Sequence, residues 1–364
     1  MTASNTKGRV LVAMSGGVDS SVAALLLSRQ GYEVIGATMK LWDYSDVGGN
    51  VNRQSGCCDL KAIDNARGVC DQLGVPHYVL NFSEDFRRTV IDNFISEYKI
   101  GRTPNPCVLC NTEIKWDRFL QRAREIDCDF IATGHYARVG YDDLRKRFYI
   151  RRGIDDSRDQ SYALWGINQQ ALACTLFPLG DITKKETRII ASEAGLKTAQ
   201  TVESQEICFV TDDDYPRFLR ENSGEKIIPG DIVNESGEVV GRHQGIPFYT
   251  IGQRKGLGIA HSVPLYVKEI DIIKNRIVVT ENPSDSQSVM KISQINWLAI
   301  DCPGKNFRAA VKIRYRHEAA PAEIIPRDAN NLEVKFDNPQ RAITPGQSAV
   351  LYDGDLVLAG GIID

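Results

Sequence analysis

Residues 10–20 read Val-Leu-Val-Ala-Met-Ser-Gly-Gly-Val-Asp-Ser, and no other stretch of the chain restricts its fold as much. Val10 to Met14 is an apolar run of the kind that forms a parallel strand buried on both faces. Ser15, Gly16 and Gly17 follow as a tight turn. From Val18 the apolar residues continue through Val22, Leu25, Leu26 and Leu27 in a helical pattern. A strand, a glycine turn and a helix N-terminus gather backbone N–H groups around one point, where the helix dipole adds positive charge. The glycines let an anion approach the backbone closely, and the hydroxyls of Ser15, Ser20 and Ser21 can add donors. The unit reads as a phosphate cradle. Its plain alternative is an ordinary βα turn, with Ser15 as a cap and Asp19 near the helix N-terminus.

The details separate kinds of cradle. A Walker A loop carries G-x-x-x-x-G-K-[ST] and a dinucleotide loop carries G-x-G-x-x-G; neither is present. Ser-Gly-Gly-x-Asp-Ser resembles the PP-loop of the ATP pyrophosphatase superfamily. The resemblance implies cleavage of ATP between its α and β phosphates, adenylation of a carbonyl-type oxygen, and a loop that holds the leaving pyrophosphate.

The first half alternates strand and helix patterns. Glu33 to Met39, His77 to Asn81 and Asp129 to Thr133 read as strands. Cys58 to Leu73, Phe82 to Lys99 and Thr112 to Ile126 read as helices, the last with Asn111 as N-cap. This alternation predicts a Rossmann-like parallel sheet covered on both faces. Ligands of such sheets bind beyond the strand carboxyl ends, so Ser15–Ser20, Met39 and Gly134-His135 are expected in one crevice. Thr183 to Ala194 is the last clear helical pattern. After about residue 216 glycines multiply and strands alternate: Tyr266 to Thr280 around Lys274-Asn275, Ala309 to Arg316, Leu332 to Phe336, and Ala349 to Leu358 around Asp353-Gly354. The expected fold is α/β: a PP-loop domain over 1–216, a small central β-rich domain over 217–285, and a C-terminal β-barrel over 286–364.

The 364 residues suffice for two or three domains. A net charge of −3 gives no bulk sign of nucleic acid, so any basic surface must be local. One candidate is Lys312, Arg314 and Arg316, which would line one face of a strand. The polar stretch Met1 to Arg9 and the lack of a long apolar run predict a cytoplasmic location and no membrane partner.

Nine cysteines stand at 57, 58, 70, 107, 110, 128, 174, 208 and 302. Cys70, Cys128 and Cys174 have apolar or helical neighbours and read as core. Cys107-x-x-Cys110 is half of a zinc site, a redox pair, a nucleophile at the start of the helix from Thr112, or part of a plain loop with buried cysteines. Cys57-Cys58 could complete a zinc set, and no other role is assigned to them.

Five stretches occur in order: Ser15-Gly-Gly-Val-Asp-Ser20; Gly101-Arg-Thr-Pro-Asn-Pro106 with Cys110-Asn111; Ala132-Thr-Gly-His-Tyr136; Asp159-Gln-Ser-Tyr162; and Glu206-Ile-Cys-Phe209. Together with Thr250-Ile-Gly-Gln-Arg-Lys-Gly-Leu-Gly258 and Arg314-Tyr315 they resemble the bacterial tRNA-specific 2-thiouridylases over nearly the whole chain. The resemblance implies that the C2 oxygen of the wobble uridine 34 is adenylated with ATP and Mg²⁺ and then displaced by sulfur from a cysteine persulfide. By position Cys208 would carry the persulfide. Cys110 would be the partner thiol, which liberates sulfide or forms a disulfide with Cys208. Ala13, Met14, Ser15, Gly16, Gly17, Val18, Asp19, Ser20, Met39 and Gly134 match ATP-binding positions. Asn105, Pro106 and Cys107 match positions around the target base; His135, Arg158, Asp159, Gln160, Arg314, Tyr315 and Gln347 match tRNA-contacting ones. The implied partners are the tRNAs for Glu, Gln and Lys and a sulfur donor such as a cysteine desulfurase or sulfur-relay protein.

One departure stands out. Many members of the family carry an aspartate where this chain has Cys107. A thiol, with a reference pKa of ~8.5 against ~3.9, does not replace a carboxylate in proton transfer. Two other readings are a PP-loop ligase or amidotransferase for a small metabolite, and a zinc-bound tRNA-binding protein without catalysis.

Overall fold

A computed structural model describes residues 6–43, 47–48, 60–201, 207–224, 226–282 and 286–364. The chain forms two compact units. One comprises Met1–Thr89, Cys107–Asp213 and Asp355–Val357; the other comprises Val90–Pro106, Asp214–Gly354 and Leu358–Asp364.

The first unit is built on β1 (Arg9–Ala13), β2 (Glu33–Lys40), β3 (His77–Asn81) and β4 (Phe130–Ala132), followed by the hairpin β5 (Ala137–Asp142) and β6 (Arg147–Arg152) and the short β7 (Thr175–Leu176). Five of these strands form a sheet in the order β3-β2-β1-β4-β7, and every pair in it is parallel. Val10, Leu11 and Val12 are fully buried, as a central parallel strand requires. The chain runs outward from β1 through β2 and β3, then restarts on the other side with β4. The order therefore reverses between β1 and β4, where the loops part and leave a crevice.

Helix α1 (Val18–Arg29) buries eight of its twelve residues, which marks it as an interior helix rather than a surface one. It packs against α2 (Leu60–Leu73) and the helix Lys184–Glu193. A capping box opens that last helix: Thr183 Oγ1 accepts Glu186 N–H, and Glu186 reaches back to Thr183 N–H at 2.6 Å. In the hairpin, Arg138 and Arg151 each reach Asp355 at 2.7 Å.

Two expectations in this unit are corrected. The helix read as Thr112 to Ile126 begins six residues earlier. It runs as Pro106–Leu109, a π-helical stretch Cys110–Phe119, and Leu120–Glu125. Proline suits a first helical position because it has no N–H to leave unpaired. Asn111 is therefore no N-cap. It is buried inside the helix, where Nδ2 donates to Ala163 O at 2.8 Å and Oδ1 accepts Lys115 Nζ at 2.9 Å. Cys174 is half-buried rather than core, whereas Cys70 and Cys128 are buried as expected.

The second unit holds a helix that periodicity did not reveal, Tyr215–Asn222, capped by Asp214, whose carboxylate accepts Arg217 N–H at 2.9 Å. Tyr215 stacks on Tyr98 at 5.1 Å and Phe218 meets Phe94 edge-on at 6.0 Å. Next come β8 (Gly230–Val233), β9 (Val239–His243), β10 (Tyr266–Asp271) and β11 (Arg276–Thr280), in the order β10-β11-β8-β9. The C-terminal part is an antiparallel barrel of β12 (Ser286–Trp297), β13 (Phe307–Lys312), β14 (Ala320–Pro326), β15 (Leu332–Arg341), β16 (Ser348–Asp353) and β17 (Leu356–Ile363). It closes because β12 pairs with β15 along one side and β17 along the other.

The strand expected over Ala309 to Arg316 stops at Lys312. Ile313 stays buried, but the chain then turns, with His317 N–H donating to Arg314 O at 3.1 Å. Lys312, Arg314 and Arg316 therefore do not share a strand face.

Candidate functional site

The cradle sits at the carboxyl end of β1. Gly16 has φ of +72°, and a Cβ there would lie 2.3 Å from Ala62 O, so both backbone and space require glycine. A Cβ on Gly17 would meet only Ser15 Oγ, at 3.5 Å. Ser20 Oγ braces the turn: it accepts Ser15 N–H at 3.1 Å and donates to Gly17 O at 3.2 Å. Ser15 is exposed, and its hydroxyl lies 3.2 Å from Ser20 Oγ. Ser21, expected as a donor to the anion, is instead fully buried and donates to Gly17 O at 2.8 Å. It bonds back into its own helix.

Gly134 brings β4 onto the cradle. A Cβ at this position would stand 2.8 Å from Ser20 N, so any side chain would close the approach to the first N–H groups of α1. Those groups have no intrahelical partner. Met39 lies near the end of β2, two residues past the Ala13–Ala37 pairing.

The loop carboxylate is already engaged. Lys184 Nζ donates to both oxygens of Asp19, at 2.7 and 2.8 Å, and Tyr136 Oη donates to Asp19 Oδ1 at 2.8 Å. Tyr136 Oη also lies 2.9 Å from Thr187 Oγ1. Sequence reading missed Lys184, although the capping box that starts its helix was a usable signal. Lys184 N–H donates to Asp155, whose carboxyl is held below its ordinary range by this bond and by Ser157. Asp19 is thus committed to a cation and a hydroxyl. Among the described residues no three His, Cys, Asp or Glu side chains form a metal-binding set. The loop itself offers one carboxylate, Asp19, and that carboxylate is paired with Lys184.

The thiols differ sharply in setting. Cys107 is exposed in the first turn of its helix, Cys110 is buried one turn later, and Cys208 is half-buried. All three are thiols in this structure. Phe209 anchors the neighbourhood of Cys208 by edge-on contact with Phe86 at 5.7 Å. Burial pushes Cys70 and Cys128 up to about 11, which leaves them unreactive at neutral pH. Cys57, Cys58 and the stretch 202–206 lie outside the described residues.

His135 follows Gly134 and meets Thr133 Oγ1 through Nδ1 at 2.7 Å, with its ring 5.6 Å from Trp116. Burial, and then the Lys115 charge, push it well below its ordinary pKa, so it is a neutral imidazole. Asp159 and Gln160, expected to contact tRNA, also make bonds within the chain, Asp159 to its own loop and Gln160 to Tyr136. Asp159 accepts Ser161 N–H at 3.0 Å and Ser161 Oγ–H at 2.9 Å, and Gln160 Oε1 accepts Tyr136 N–H at 2.9 Å. Arg158 is half-exposed beside them.

The second unit holds the other expected residues. Gln347 Nε2 donates to Thr103 O at 3.0 Å and Pro104 O at 3.1 Å, and Thr103 N–H donates to Pro345 O at 2.8 Å. Gln347 thereby fixes the Thr103–Pro104 backbone that leads into Asn105 and Pro106. Arg314 Nη2 donates to Arg341 O at 3.3 Å, and Tyr315 is 45% exposed beneath Lys312 Nζ, 5.6 Å from its ring. Arg314, His317, Arg341, Lys268 and Tyr266 line a cavity of about 870 Å³, wide enough for a nucleotide.

Comparison with known proteins agrees with this architecture. Residues 8–212 match the family model described as a tRNA methyl transferase HUP domain, 216–281 a tRNA methyl transferase PRC-barrel domain, and 287–363 an aminomethyltransferase beta-barrel domain. The chain is 51% identical to the tRNA-specific 2-thiouridylase MnmA of Symbiobacterium thermophilum, over 98% of this chain and 92% of that one. It is 47% identical to the MnmA of Acetivibrio thermocellus, over 98% and 99% of the two chains. Identity to the MnmA of Geotalea uraniireducens is 47%, over 100% and 97%. A glycine cradle at a sheet switch point, a mixed-sheet middle part, a closed six-stranded barrel and this full-length identity lead to one conclusion: the chain belongs to the MnmA family of tRNA-specific 2-thiouridylases.

Proposed function

We propose that this chain adenylates the C2 oxygen of the wobble uridine of tRNA at the Ser15–Ser20 cradle and replaces it with sulfur carried as a persulfide on Cys208. The observation that carries the reading is the joint presence, in one compact unit, of the glycine cradle, Cys110 and Cys208. A pyrimidine C2 oxygen is a poor leaving group. Adenylation turns it into AMP, and the cradle's N–H groups stabilise the pyrophosphate that departs. Mg²⁺, if it accompanies ATP, would neutralise phosphate charge; Asp19 itself is engaged with Lys184. Sulfur then attacks C2, and the Cys110 thiolate takes the Cys208 side of the persulfide S–S bond.

The remaining assignments follow the same reading. Asn105, Pro106 and Cys107 surround the target base, held by Gln347. Arg314, Tyr315, His135 and Arg158 contact tRNA. The tRNAs for Glu, Gln and Lys are the substrates, a cysteine desulfurase or relay protein charges Cys208, and the enzyme works in the cytoplasm. The working division remains 1–216, 217–285 and 286–364. No helix among the described residues is long and apolar enough to cross a membrane.

A ligase for a small metabolite needs no barrel, and methyl transfer needs no ATP cleavage; neither uses this set of parts. The test is nucleoside mass spectrometry of tRNA incubated with the chain, ATP and a persulfide donor. The expected result is 2-thiouridine with one pyrophosphate released per sulfur inserted. Undiminished thiolation by Cys110→Ser or Cys208→Ser overturns the proposal.

A further inference from the structure

We propose that Cys107 resets the site after each sulfur transfer, taking over the Cys110–Cys208 disulfide as a Cys107–Cys110 disulfide that an external dithiol can reach and reduce. This rests on the reading of Cys110 and Cys208 as the transfer pair.

The electron count creates the need. Persulfide sulfur is formally zero-valent, whereas the sulfur of 2-thiouridine is at the sulfide level. The two electrons come from the Cys110 thiolate, and a Cys110–Cys208 disulfide remains. That bond joins a buried sulfur to a half-buried one. A reductant as large as a protein dithiol has poor access to it.

The structure supplies a route. Cys107 and Cys110 are three positions apart on one continuous helix. Side chains at that spacing lie roughly 5–6 Å apart at Cβ, close to the roughly 3.5–4.5 Å of a disulfide. Cys107 is in the first turn of this helix, at the end where the chain enters it. It is exposed while Cys110 is buried. An exposed attacking sulfur and a buried partner one turn on form a dithiol suited to exchange.

The steps balance. The Cys107 thiolate attacks Cys110 Sγ; the Cys107–Cys110 bond forms, the Cys110–Cys208 bond breaks, and Cys208 leaves as a thiolate. Cys208 is then ready for the next sulfur. A thiolate of the external dithiol attacks the exposed Cys107 Sγ, and Cys110 leaves as a thiolate. The second sulfur of the dithiol closes on the first, releases Cys107 and departs as the oxidised disulfide. Its two electrons are those gained by the product sulfur.

The test uses the full chain with tRNA, ATP, a cysteine desulfurase as persulfide source, and a thioredoxin-type protein dithiol. For Cys107→Ala the expectation is a burst of at most one 2-thiouridine per chain. A steady state at least about ten-fold slower than its own burst should follow, and millimolar dithiothreitol should speed that steady state towards the burst rate, whatever the burst rate itself loses from the change beside the base. Peptide mapping without reductant should then find Cys110–Cys208 accumulating in the variant and Cys107–Cys110 in the unaltered chain. Steady turnover of Cys107→Ala with no burst and no trapped Cys110–Cys208 overturns the relay. Thiolation by Cys110→Ser, with no disulfide at Cys110 in any variant, instead overturns the transfer-pair reading beneath it.

Discussion

Lys184 is the side chain on which the cradle most depends after its glycines. It is nearly buried and its ammonium contacts both oxygens of Asp19, so removing it leaves that carboxylate without its cation beside the proposed phosphate site. Lys184→Met should lower stability by about 2 kcal/mol, less than a fully buried pair because Asp19 is partly exposed. It should also weaken ATP binding at least about ten-fold, as measured by equilibrium dialysis; unchanged binding would remove Lys184 from the site. Gly134→Ala should weaken ATP binding as much and also cost stability, because its Cβ would stand 2.8 Å from backbone atoms of Asp19 and Ser20, which cannot yield without moving the turn. The imidazoles make a pH prediction. His77, His135, His243 and His317 are all held below their ordinary pKa, each chiefly by burial. Below pH ~6.5 the unfolded chain binds protons that the native chain does not, so unfolding free energy falls as pH drops. Each such histidine contributes a slope of up to about 1.4 kcal/mol per pH unit until the native group also protonates. Replacing His135 with Gln should flatten urea-derived stability between pH 6.5 and 5; an unaltered slope would show that His135 titrates normally.

At the level of elements, legibility followed locality. The β1–turn–α1 unit was readable because its strand, glycines and helix are contiguous and each carries its own pattern. The turns at Lys274-Asn275 and Asp353-Gly354 were readable for a similar reason: Asn275 and Gly354 take φ of +46° and +59°, which few residues tolerate. The helix beginning at Pro106 was not. Asn111 looked like a cap because capping is a local preference, but its amide found a tertiary partner in Ala163 O and the helix ran past it. The strand ending at Lys312 failed in the opposite sense, since alternation continued in the sequence after the chain had turned. Two predictions belong here. Thr183→Ala removes the capping box and should cost about 1 kcal/mol while also loosening Lys184 from Asp19. Gln347→Leu releases the carbonyls of Thr103 and Pro104 and should raise the KM for tRNA several-fold with ATP binding intact. A parallel loss of ATP binding would show that Gln347 acts on the unit as a whole.

For the whole molecule, the sequence alone determined the kind of chemistry and the class of each part. Contiguous motifs carry a phosphate cradle, a thiol pair and a switch from helical to strand periodicity, because backbone preferences and side-chain period are written within a few residues. Which distant groups meet was decided only by the tertiary structure. Lys184 reaches Asp19 across 165 positions and Gln347 reaches Thr103 across 244. Gly134 abuts Ser20 because β4 lies beside β1 in a sheet whose order reverses there. Such pairings depend on strand order and on which faces are buried, and neither leaves a mark at the level of neighbouring residues. The same holds for the two cysteines one turn apart: their spacing is plain in the sequence, but only the fold exposes Cys107 and buries Cys110.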